Sequence, residues 1–186
     1  MMSQLREESS DSYFSYLKPA MRAEEVRVVV AFWKKNKQEI SNFLNQFNSL
    51  TLIQQRKGFW VLSHFAKHFP EELIPLQELI FSIFKLSIDR SIRREIFSIL
   101  FNIKCADEIE SHMLHSAFTV LTDNHAAVAE RHHALQWLFR GAKNYPEIIP
   151  ELVTNLEMGK ESLTPSWKNY SEKLIQELLR GNVRKV

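Results

Sequence analysis

Cysteine occurs once in the 186 residues, glycine four times and proline six times, and no long apolar run is present. Each scarcity excludes something. The lone Cys105 forms no internal disulfide and supplies no multi-cysteine zinc site. Glycines 58, 141, 159 and 181 stand apart from one another, so the chain has no phosphate-cradling glycine-rich loop and no Gly-x-Ser-x-Gly elbow. No apolar stretch approaches the roughly 18 residues that a membrane-spanning helix needs. The opening MMSQLREESSDSYFSYLK carries acidic residues and hydroxyls where a secretory signal has a basic start and an apolar stretch. These absences predict a cytoplasmic protein with no membrane partner. An excess of one charge is lacking too: 24 Lys and Arg against 22 Asp and Glu leave +2, which gives no overall pull toward nucleic acid.

What is present is helical periodicity. From Arg22 onward apolar residues recur at spacings of three and four rather than in alternation, which predicts an all-α protein. Val26, Val29, Val30 and Trp33 form one stripe; Phe59, Leu62 and Ala66 form a second. Ile96, Phe97, Leu100 and Ile103 form a third, and Leu135, Leu138 and Ala142 a fourth. Helix edges carry their own chemistry. Thr51 with Gln54 reads as a capping box, Thr164 before Pro165 as an N-cap, and Pro70 and Pro146 each end a preceding helix. The segment 1–20 is read as a short helix around Tyr13, Phe14 and Leu17 or as a frayed end, and 21–186 as a single domain. A capping helix over 22–36 is followed by A helices near 37–49, 71–88 and 106–122. B helices lie near 52–69, 90–104 and 125–144, and a last pair at 146–159 and 166–180.

The pattern repeats. Ala66-Lys67-His68-Phe69-Pro70-Glu71 recurs as Ala142-Lys143-Asn144-Tyr145-Pro146-Glu147, 76 positions later, which is twice 38. Steps of 38 link Arg56, Arg94 and His132; Phe59, Phe97 and Leu135; and Leu62, Leu100 and Leu138. Several columns sharing one period indicate stacked helical hairpins that bury their apolar faces against their neighbours. This period resembles that of HEAT-type repeats, as do the basic B-helix starts (Arg56, Arg93/Arg94, Arg131/His132) and the run Pro-Glu-Glu-Leu-Ile-Pro after a B helix. The similarity covers about residues 22–180, and the chain also resembles short bacterial HEAT-like proteins. The resemblance implies a right-handed, HEAT/armadillo-like α-solenoid of about four to five antiparallel helix pairs. It further implies that B helices line the concave side and A helices the convex side.

Charge sorts with helix type. Segments 51–70, 90–105 and 124–145 are net basic, whereas 71–89, 106–123 and 146–162 are net acidic. On the B helices the polar positions opposite the apolar stripe form three rows: Arg56, Trp60, His64 and Lys67; Arg94, Ser98 and Asn102; and His132, Gln136, Arg140 and Lys143. Side by side, these rows make a basic face that steers anionic partners despite the small net charge. Glutamates favoured in first helical turns and ordinary solvation of charged faces account for part of the same pattern.

Catalytic chemistry finds little support. His64 and His68, and His112 and His115, have helical spacing but no third ligand, and Glu130 with His133 is a single Glu-x-x-His where a di-iron bundle needs two. No metal and no cofactor is therefore expected. Trp33 and Trp137 fall at core positions, Trp167 packs the terminal helix, and Trp60 alone falls on a polar face. The reading that follows is a non-catalytic scaffold that binds an acidic protein segment or other anionic partner, with Arg56, Trp60, His64, Lys67, Arg94, His132, Gln136, Arg140 and Lys143 as contacts. The alternative is a DNA-binding protein or an alkylpurine DNA glycosylase-like enzyme, because some such enzymes are HEAT-like and use a basic face with aromatic residues. That alternative requires a carboxylate on the face, for which Glu95 and Glu130 are the candidates.

Overall fold

The structure, a computed structural model, describes residues 14–123, 125–159 and 165–180. Among these residues it contains α-helices and short 3-10 turns and no strand. The helices are α1 (Ala23–Lys35), α2 (Gln38–Asn45), α3 (Leu52–His68), α4 (Gln77–Leu86) and α5 (Arg90–Asn102), then α6 (Asp107–Thr122), α7 (Val128–Asn144), α8 (Ile149–Gly159) and α9 (Pro165–Leu179). No helix among the described residues is long and apolar enough to cross a membrane. The chain divides into two compact units, Met1–Cys105 and Ala106–Val186. Tyr13, Thr164 and the side chain of Trp167, each assigned a role from sequence, lie outside the described residues.

Local chemistry explains where the helices begin. The Thr51 hydroxyl accepts from the Gln54 backbone N–H at 3.3 Å while the Gln54 side chain accepts from the Thr51 N–H at 3.0 Å, which closes the capping box ahead of α3. Asp89 caps α5, its carboxylate accepting from the Ile92 N–H at 3.0 Å. Before α7 the Glu130 carboxylate accepts from the Ala127 N–H at 2.7 Å. Thr51, Asp89 and Ala127 are 38 positions apart, so the period is also a period of helix starts.

One boundary departs from expectation. The helix predicted from residue 71 begins as a 3-10 segment over Pro70–Leu76, and α4 starts only at Gln77. Pro75 has no N–H to donate to the Glu71 carbonyl and its ring crowds that carbonyl, so α-geometry is postponed by a turn. A shorter 3-10 turn, Pro146–Ile148, also precedes α8.

In the first unit the core forms where α1, α2, α3 and α5 bury their apolar stripes. Val26, Val29, Val30 and Trp33 are buried, as their spacing predicts. Phe43 of α2 lies among the rings of Phe14, Trp33 and Phe59, with centroids 5.6–5.8 Å away. A Cβ on Gly58 would run into the Phe43 ring, so the glycine lets α3 approach α2 closely. Phe14 and Leu17 sit in a turned segment before α1, both fully or almost fully buried, and Tyr16 Oη accepts from Trp33 Nε1 at 3.1 Å.

In the second unit α6 and α7 pack as a pair, with Ile109, Met113, Ala117, Leu135, Trp137 and Leu138 buried. Gly141 serves this contact as Gly58 serves the other, because a Cβ there would meet Leu114.

Candidate functional site

The basic start of each B helix resolves into two columns with different tasks. Gln55, Arg93 and Arg131 stand 38 apart and all turn back to carbonyls at the end of the preceding A helix or in the turn that follows it. Gln55 Nε2 donates to the Phe47 and Leu50 carbonyls at 2.9 and 3.2 Å. Arg93 Nη1 donates to the Phe84 and Ser87 carbonyls at 3.3 and 3.4 Å, with its guanidinium 4.2 Å from the Phe84 ring centroid. Arg131, only 2% exposed, donates through Nη2 to the Asp123 carbonyl at 2.7 Å. This column ties the first turn of each B helix to carbonyls at or just beyond the end of the segment before it. The next column, Arg56, Arg94 and His132, faces outward.

In the first unit α3 and α5 lie against each other and carry two of the expected rows. Between them is a depression of about 430 Å³ lined by Arg56, Lys57 and Trp60 of α3 and by Ser91, Arg94 and Glu95 of α5; Ile53 and Pro19 complete the wall. Trp60 is half-buried, with Lys57 Nζ 4.8 Å from its ring centroid and the His64 ring edge-on at 5.8 Å. Burial, with Lys67 nearby, holds the His64 imidazole below its usual pKa, so it is neutral at pH 7. Lys67 is exposed. Ser98, expected in the outward α5 row, is instead 5% exposed. Residues 96–100 of α5 are all buried, so at this level the helix is packed on every side and presents no outward position.

The charges here are mostly paired. Arg56 bonds Asp89 through Nε at 3.1 Å and Nη2 at 2.6 Å, and Arg94 bonds Glu95 through Nε at 3.3 Å and Nη2 at 2.8 Å. Lys57 has no carboxylate partner among the described residues, which leaves its charge in the depression uncompensated. Glu95 is the residue that periodicity undervalued. Its side chain, which the spacing does not clearly assign to this face, lines the depression beside Trp60, whereas the Glu130 carboxylate is occupied in capping α7.

Asp89 links the site to folding. Burial pushes its carboxyl pKa up, but the Arg56 guanidinium and the Ile92 N–H outweigh burial and leave it below the usual value. A depressed folded-state pKa contributes stability above the unfolded carboxyl pKa of about 4, lost as pH falls through the folded value. Urea midpoints of the wild type are therefore expected to drop more steeply below pH 4 than those of Asp89→Asn, which keeps the cap but not the charge. Parallel curves would show that the Arg56 pair contributes nothing.

The third row lies on α7 of the second unit. His132 and Lys143 are exposed, and Gln136 is half-buried with Oε1 3.1 Å from His133 Nδ1. Arg140 stacks on Trp137 at 3.9 Å from the ring centroid and brings Nε within 3.7 Å of the Glu110 carboxylate. Among the described residues no three His, Cys, Asp or Glu side chains gather where they could hold a metal ion. Cys105 is half-buried, its thiol 3.1 Å from the Leu100 carbonyl.

No curated protein and no solved structure matches the chain. The family model of the HEAT repeat domain matches residues 14–178, a span that takes in every helix described above but the last residue of α9. With its 38-residue period expressed as repeated caps, repeated carbonyl-binding side chains and paired helices, the chain belongs to the HEAT repeat domain family.

Proposed function

We propose that the chain is a non-catalytic interaction module that binds an acidic protein segment through the face formed by α3 and α5. HEAT repeats commonly mediate protein interactions, which sets the class of function. One observation carries the choice of partner: Lys57, Arg56 and Arg94 converge on a depression with the half-buried Trp60 in its wall, and the Lys57 charge there is uncompensated. Arginine offers forked hydrogen bonds to carboxylates and tryptophan a large stacking area, a combination frequent at binding hot spots. His64 and Lys67 extend the contact set along α3, and His132, Gln136, Arg140 and Lys143 are the contacts proposed for the second unit.

The test uses a fluorescein-labelled peptide, Glu-Glu-Leu-Glu-Glu-Phe-Glu-Glu, titrated with the full chain and read by anisotropy. Lys57→Glu with Arg94→Gln is expected to weaken binding at least about tenfold with an unchanged melting temperature. Arg56 is left in place, because reversing it would set a second carboxylate on Asp89. Equal binding by the double variant, or equal binding of the peptide with lysine in place of glutamate, would overturn the reading.

A second reading rests on Glu95. A carboxylate beside Trp60 and three cationic side chains is the set that the DNA glycosylase alternative requires. It predicts gel-shift affinity for duplex DNA that falls steeply with salt, together with release of methylated purines. Absence of both rejects it.

A further inference from the structure

The depression and the helix ends around it carry exposed apolar residues that an acidic partner alone does not explain. Leu52 and Ile53, in the first turn of α3, are 48% and 46% exposed, and Leu86 and Ile88, at the α4–α5 turn, are 79% and 96% exposed. Arg56, one turn beyond Leu52, bonds Asp89, which follows Ile88, so the ion pair ties the α4–α5 turn to the start of α3. Ile53 itself lines the depression with Pro19 and Trp60. Ile53 and Pro19, the Trp60 ring and the cationic side chains thus meet at one opening. Exposed apolar residues clustered beside polar ones mark interaction sites, whereas scattered ones do not.

We propose that the partner segment is amphipathic: an aliphatic or aromatic side chain seats on Ile53, Pro19 and Trp60, and flanking carboxylates meet Lys57 and Arg94. Charge complementarity selects this occupant. A purely apolar segment would leave Lys57 desolvated without a counter-charge, and a purely acidic one would leave Ile53 in water. The apolar contact supplies affinity by removing surface from water, and the carboxylates set register and exclude basic segments.

This inference rests on the reading of the α3–α5 face as an acidic-segment site, and its test separates the two. The Glu-Glu-Leu-Glu-Glu-Phe-Glu-Glu peptide is compared with Glu-Glu-Gly-Glu-Glu-Gly-Glu-Glu on the full chain. The apolar-bearing peptide is expected to bind at least about tenfold more tightly. Ile53→Ser is expected to close that gap, and Ile53→Leu to preserve it. Equal affinity of the two peptides, or a gap that survives Ile53→Ser, overturns the amphipathic partner and leaves the acidic one standing. Binding of neither peptide overturns both. Sedimentation of the chain alone covers the other occupant: a dimer that disappears in Ile53→Ser with Ile88→Ser assigns the exposed apolar residues to a second copy and overturns the proposal.

Discussion

Truncation of Phe43 to alanine lowers the unfolding free energy by about 3–5 kcal/mol, the usual cost of deleting a fully buried aromatic ring. Phe43 is completely buried, and its neighbours Phe14, Trp33 and Phe59 are themselves fully buried. They are held by three separate stretches of chain, so they cannot all collapse into the void. The close approach of Gly58 makes the prediction sharper. In the wild type, Gly58→Ala gains about 1 kcal/mol of helix propensity. It loses more than that, because overpacking against a confined ring costs about 1–3 kcal/mol. With Phe43 already alanine the clash is gone. The same Gly58→Ala change should then stabilise by up to about 1 kcal/mol, a reversal of sign within one double-mutant cycle. Urea unfolding followed by tryptophan fluorescence measures all four corners. A Phe43→Ala cost below about 1 kcal/mol, or a Gly58→Ala effect of the same sign in both backgrounds, would show that α2 and α3 do not meet as described.

Arg131 is expected to give the second-largest loss. Its side chain is 2% exposed, and it supplies the Asp123 carbonyl at the end of α6 with a charge-assisted hydrogen bond. Arg131→Ala removes that donor and leaves a cavity, with an expected cost of about 3 kcal/mol. Arg131→Met keeps most of the volume without the donor and should recover only part of it. Arg131→Gln should recover more than Met, because Gln55 performs the equivalent task for the turn after α2. Thermal unfolding of the three variants orders them. If Met equals wild type, the residue fills space and nothing more, and the repeated carbonyl-binding column loses its structural meaning.

Much of the fold is legible in local sequence because its causes are local. Apolar residues three and four apart can bury one helix face, a threonine followed by a glutamine three residues on can close a capping box, and a proline lacks the donor a helix interior requires. Thr51, Pro70 and the Val26–Trp33 stripe therefore do in the structure what their spacing predicts. Pro75 was readable by the same logic: its ring crowds the Glu71 carbonyl, which disfavours α-geometry before Gln77.

The candidate site was legible only in part. Trp60 and Arg94 stand in the wall of the depression, as the polar rows suggest, yet Glu95 and Ile53 stand there too without any periodic mark. Adjacent basic residues such as Arg93 and Arg94 satisfy the 38-residue period equally well. Periodicity cannot say which of them turns inward to a helix end and which faces solvent.

The sequence by itself determined the helices, their starts and stops and their repetition, since those depend on residues within one or two turns of each other. Only the tertiary structure decided how the charges are used. Arg56 finds Asp89 33 positions away, Arg131 is withdrawn to cap α6, and Lys57 is left facing the depression. Those outcomes depend on which carbonyls and carboxylates the packing of the helices brings within hydrogen-bond reach, and no local pattern in the chain encodes that distance.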